Sequence, residues 1–229
     1  MKKICLLTIV FILSLAGTSF AAPLTNYSAS KVAIDIMMRN NDLKGSGNGL
    51  DFSFDKKWNM EYGLTVAFGG NLAFQYAGYG AKSDDTSLDD GGITKSVAFK
   101  LRYDEFNLLY QIHKAEKSSA SVFLGYSRAK VSSWHTDFGK NSSSEEGYFQ
   151  LGALGTIKIA PKTTAYASIK GGDDIFGYKI GISQDLGKGF ELNIDWSYLK
   201  AKGVGDKNSA FGELNATNKG IGLGVTYKF

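Results

Sequence analysis

The sequence predicts an all-β fold: a closed antiparallel transmembrane β-barrel of about ten strands, with eight or twelve as the alternatives. Three observations carry that expectation. Apolar residues recur at alternate positions through most of the chain, the period of a strand whose side chains leave opposite faces. Opposite those apolar faces lie small residues, among them Gly63, Gly125, Gly152, Gly181, Gly222 and Gly224, which suit a crowded interior better than a solvated surface. Aromatics gather at the ends of the apolar faces, as interfacial girdles do: Trp58, Tyr62, Tyr76, Tyr110, Tyr126, Tyr178, Trp196 and Tyr198. Unpaired edge groups are costly in lipid, so the outermost strands must join.

Residues 1–21 read as a secretory signal. Lys2 and Lys3 precede an apolar run from Ile4 to Ala16, and Ser19-Phe20-Ala21 puts small residues at −3 and −1, so cleavage is expected after Ala21. The run is shorter than the roughly 20 residues of a spanning helix. Residues 22–229 then form one barrel domain. The net charge of +4 includes the two signal lysines, too weak an excess to suggest nucleic acid. The single cysteine, Cys5, lies in the signal, so neither a disulfide nor a thiol metal site is expected, and no cofactor is indicated. Pro161 falls in a turn, so no predicted strand loses a ladder hydrogen bond.

Ala22 to Ser30 reads as a short periplasmic leader. Val32, Ile34, Ile36 and Met38 mark the first strand, with Asp35 inward, and Asn40 to Asn48 reads as a loop. One phase then runs from Leu50 through Trp58 to Phe68, broken only at Lys56. It is one long strand whose upper part projects beyond the membrane, or a hairpin at Asp55-Lys56-Lys57. Gly69-Gly70-Asn71 is a tight turn before the third strand (Leu72, Phe74, Tyr76). Ala81 to Gly92 is an acidic loop. Val97 to Tyr103 is apolar on odd positions and Phe106 to Ile112 on even ones, so the phase flips at Asp104-Glu105. A β-bulge in one strand is favoured over a turn between two.

After a charged turn at His113–Ser118 come Val122, Leu124 and Tyr126, then a polar loop from Arg128 to Glu146. Phe149 to Ile159 is the sixth strand and Thr163 to Lys170 the seventh. Phe176 to Ile182 and Phe190 to Tyr198 follow, then a last loop from Lys200 to Asn218. The lumen face carries both signs: Asp35, Glu61, Lys100, Arg102, Lys158, Lys179, Glu191, Asp195 and Lys228. A barrel this narrow is filled by its own side chains, which are expected to pair across it.

The final strand runs Gly220-Ile221-Gly222-Leu223-Gly224-Val225-Thr226-Tyr227-Lys228-Phe229, with apolar residues on every odd position. This ending resembles the C-terminal signature of bacterial outer-membrane β-barrels. The resemblance implies that the barrel-assembly machinery reads Tyr227 and Phe229, and that the chain sits in the outer membrane with its lipid and lipopolysaccharide. Residues 22–229 also resemble the small OmpA-type and OmpX-type barrels of the porin family, without the soluble domain that follows the barrel in OmpA.

The expected role is structural or surface-interacting, with loops 81–92, 128–146 and 200–218 outside the cell. A narrow passive channel for ions or small solutes is the alternative. A remote third reading is an omptin-like surface protease, resting on His135-Thr136-Asp137 with Asp84-Asp85 and Asp89-Asp90. Solvated loop charges account for those residues better, and no catalytic or metal residue is assigned.

Overall fold

A computed structural model describes residues 23–47, 50–53, 56–82, 86–90, 93–135, 139–204 and 214–229. The segments are β1 (Val32–Gly47), β2 (Leu50–Ser53), β3 (Lys57–Gly69), β4 (Leu72–Lys82), β5 (Thr86–Asp90), β6 (Ile93–Lys114), β7 (Ser118–His135), β8 (Gly139–Ala160), β9 (Thr163–Gly171), β10 (Ile175–Gly187), β11 (Phe190–Val204) and β12 (Leu214–Lys228). Every pairing is antiparallel. The last strand closes on the first in register from Ala33↔Lys228 to Ser46↔Asn215. The wall has ten staves, because β2 and β3 both pair with β1, and β4 and β5 both pair with β6.

The second stave is the long strand the sequence suggested. The pairing passes from Lys44↔Ser53 to Asn41↔Lys57, a shift of one residue and not a hairpin. The expected outer loops are largely strand. Thr86–Asp90 pairs with Ile93–Val97, and β7 stays paired with β8 from Ser118↔Ile157 up to His135↔Gly139. Polar sequence there reflects water on the outer face, not a lack of regular structure. β6 and β8 are each 22 residues long, whereas about 9–11 tilted residues cross a bilayer. The surplus stands outside the membrane.

The bulge expected at Asp104-Glu105 is absent. Pairing with β4 is unbroken from Leu72↔Tyr110 to Lys82↔Lys100, and the irregularity against β7 lies between Gln111 and His113. The alternation never slips; the surroundings of its two faces change instead. In the lower half, even residues such as Leu108 and Tyr110 face outward. Above Phe106 the outer face meets water, and the inward residues Leu101 and Tyr103 become the apolar ones. Lys100 and Arg102 therefore point outward, correcting their assignment to the lumen.

Two apolar clusters sit inside the wall. The upper one packs Leu43, Leu101, Tyr103, Tyr148, Leu199 and Val204 across the outer mouth. The lower one includes Leu24 and Tyr27 with Leu109 and Phe123. The leader therefore does not hang free in the periplasm but is tucked into the barrel's lower end. Lys114 Nζ donates to Asn26 Oδ1 at 2.7 Å, and Gln111 Nε2 donates to the Thr25 carbonyl at 3.0 Å.

Candidate functional site

The lumen is the chemically dense part of the molecule, and its polar groups form layers between the two apolar clusters. At its centre is Arg39, on the inward face of β1 and 1% exposed. Its Nε donates to Glu61 Oε1 at 2.6 Å, and its Nη1 lies 2.6 Å from Asp195 Oδ1. Lys179 Nζ approaches the other Asp195 oxygen at 3.5 Å, and the Tyr166 hydroxyl donates to it at 3.4 Å. Two cations and two carboxylates from β1, β3, β10 and β11 thus neutralise one another across the bore. Charges removed from water persist only with such partners.

Room for this layer comes from β12. A Cβ at Gly222 would stand 2.8 Å from Met37 Cε and 2.9 Å from Arg39 Nη2, and one at Gly224 would stand 2.2 Å from Met37 Cγ. The glycine-rich inner face of the terminal strand is the imprint of two long side chains on its neighbour. Gly181 does the same for Tyr166, whose Cζ would lie 2.4 Å from an added Cβ.

Beside this layer, Lys170 pairs with Glu105, which also accepts from Asn107 Nδ2 at 2.7 Å. Gln150 Nε2 donates to Asn107 Oδ1 at 2.9 Å, and the Tyr103 hydroxyl donates to Gln150 Oε1 at 3.3 Å. Below the centre, Thr226 donates to Asp35 at 2.7 Å and accepts from Asn193 at 2.8 Å. Lys228 meets Glu191 at 2.7 Å and donates to the Pro23 carbonyl of the leader at 3.4 Å. Between the layers, a cavity of about 90 Å³ touches Arg39, Tyr79, Tyr103 and Lys170.

Of the charges expected in the lumen, Asp35, Glu61, Lys179, Glu191, Asp195 and Lys228 point inward in these layers. Lys158 stands exposed at the periplasmic rim, and Lys100 and Arg102 lie on the outer wall. Arg39, Glu105 and Lys170 were missed. Arg39 was legible: the odd phase Ala33, Asp35, Met37 runs on to it, facing a strand whose inner residues are glycine. The eight girdle aromatics all lie on the outer face, several touching: the Tyr62 and Tyr76 rings are 5.9 Å apart, and Tyr178 and Trp196 5.3 Å. Tyr227 sits between Phe190 and Phe229, each centroid 4.5 Å away, tilted against the first and edge-on to the second.

His113 accepts from or donates to Ser118 at 3.0 Å in a periplasmic turn. The side chains of His135, Asp137 and the acidic pairs at 84–85 and 89–90 lie outside the described residues. Among the described residues, no cluster of metal-ligating side chains occurs.

The model of a family described as outer membrane protein beta-barrel domain matches residues 11–229. The chain belongs to that family. As an outer-membrane β-barrel it lies in the outer membrane of the Gram-negative envelope. The fold is similar to that of the outer membrane protease OmpT from Escherichia coli, with a TM-score of 0.58 at 11% identity over 91% of this chain and 99% of that one. It is also similar to the translocator domain of the autotransporter NalP from Neisseria meningitidis, with a TM-score of 0.51 at 10% identity over 90% and 91%. At such identities the likeness concerns the fold alone. No curated protein sequence matches the chain.

Proposed function

We propose that this outer-membrane β-barrel is a sealed scaffold whose role is structural and surface-interacting, exercised by the strand extension it holds above the membrane. The observation that carries this reading is the filled lumen. The leader occupies the periplasmic end, the Arg39 layer spans the centre, and the Leu101–Tyr103 cluster covers the outer mouth. A diffusion pore needs a continuous aqueous path, and a cavity of about 90 Å³ between closed layers does not supply one.

Planar-bilayer recording of the refolded chain tests the proposal. The expected result is a closed baseline. Discrete steps that shift on neutralising Lys179 would overturn it in favour of a narrow channel. The scaffold reading also expects the extension to be dispensable for folding. Replacing residues 130–145 by a two-residue turn should leave a barrel with heat-modifiable mobility on unboiled gels.

A further inference from the structure

One face of the outer wall stacks an aromatic row beneath charged ones. On β4, β6, β7 and β8, Tyr76, Phe106, Tyr126 and Phe149 stand in direct register as one aromatic row. The next row up is Gly78, Asp104, Arg128 and Gly147, and the one above it Gly80, Arg102, Lys130 and Glu145. Asp104 points outward yet is only 6% exposed. It accepts from the Tyr76 hydroxyl at 2.9 Å and from Arg102 Nε at 3.0 Å, and Arg128 lies 3.9 Å away. Arg128 also sits 5.9 Å above the Phe106 ring and pairs with Glu145 at 3.3 Å. One sunken carboxylate thus holds two arginines in place, and their flanks on β4 are the glycines Gly78 and Gly80.

From these residues we propose a binding site for a phosphorylated glycolipid of the outer leaflet, the chemistry of lipopolysaccharide. Lys100, Arg102, Arg128 and Lys130 oppose Asp104 and Glu145, leaving a local excess of positive charge at the level where lipid headgroups lie. The cations span from the Arg128 level to the Lys100 level. At about 3.4 Å per residue this is taller than one phosphodiester and suits a headgroup bearing several anionic groups. Below the aromatic row, the exposed Leu108, Leu124 and Leu151 offer acyl chains an apolar face. On another part of the wall, Lys219 is offset by Asp42 at 3.7 Å.

Binding to the refolded full chain in detergent micelles is measured by native mass spectrometry. The probes are bisphosphorylated lipid A, the same lipid stripped of its phosphates, and phosphatidylglycerol. The wild-type chain is expected to hold bisphosphorylated lipid A about tenfold more tightly than either other probe, and R102Q/R128Q to lose that preference. K200Q/K219Q, on another part of the wall, should keep it. If R102Q/R128Q fails to show heat-modifiable mobility, K100Q/K130Q, which leaves the Asp104 contacts in place, should lose at least half the preference. Equal binding of the three probes, equally tight binding of phosphatidylglycerol, or an equal loss in K200Q/K219Q overturns the proposal.

Discussion

Replacing Arg39 by methionine probes the central layer directly. The guanidinium makes two ion pairs of 2.6 Å with Glu61 and Asp195, in which no side chain exceeds 5% exposure. It also donates across the closing seam to the Gly220 carbonyl at 3.0 Å. Removing one member of a buried pair costs about 3–5 kcal/mol, because the remaining charge keeps its desolvation penalty without its partner. Lys179, at 3.5 Å, still faces Asp195 after the change, so Glu61 bears most of the loss. Arg39→Met is therefore expected to destabilise the barrel by about 3–5 kcal/mol. Adding Glu61→Gln should recover most of it, since the orphaned charge goes too while Lys179 keeps Asp195 as its partner. Urea unfolding in lipid vesicles, followed by tryptophan fluorescence, gives the numbers. The exposed pair Lys219–Asp42 serves as reference, where Lys219→Met should cost no more than about 1 kcal/mol. A loss at Arg39 no larger than at Lys219, or a double variant worse than the single, would refute the reasoning.

Other expectations follow from the same packing. Gly224→Val places a Cβ 2.4 Å from the Ile36 carbonyl, a backbone atom that cannot rotate aside, so the β12–β1 seam should fail and heat-modifiable mobility disappear. Deleting residues 23–30 should leave the bilayer baseline closed, because the Arg39 layer remains. Burial pushes the Tyr27 phenol above its ordinary pKa, so the neutral form favours the docked leader. Docking is intact below the usual tyrosine range and weakens as pH rises through the raised value. Thiol labelling of an Asn26→Cys variant should accordingly speed up at strongly alkaline pH, and a flat labelling rate there would count against it.

The barrel wall was legible because its lower half keeps one polarity. Leu223 and Val225 meet lipid while Gly222 and Gly224 face the bore, so alternation alone placed them. The upper half was harder for a definite reason. Where the strands leave the bilayer, lipid is replaced by water outside, and the apolar set moves inward without any slip in register. Leu101 and Tyr103 then mimic a phase change, and Arg102 looks like an inner residue. The polar hairpins misled similarly: Ser-rich sequence at 139–147 reads as loop, yet it is strand held by β7. The leader's position could not be read at all. Tyr27 and Leu24 carry no periodicity, and their docking depends on Gln111 and Lys114 far along the chain.

The seam between β1 and β12 ties residues nearly two hundred positions apart; the Thr226–Asp35 hydrogen bond alone bridges a separation of 191. β12 leaves the ribosome after the other strands, so until it arrives the ring has two raw edges, and Arg39 faces no glycine floor. Such long-range closure is slow compared with local hairpin formation. Assembly is therefore gated by β12, and a chain truncated within it would be an open, adhesive sheet instead of a slightly weaker barrel.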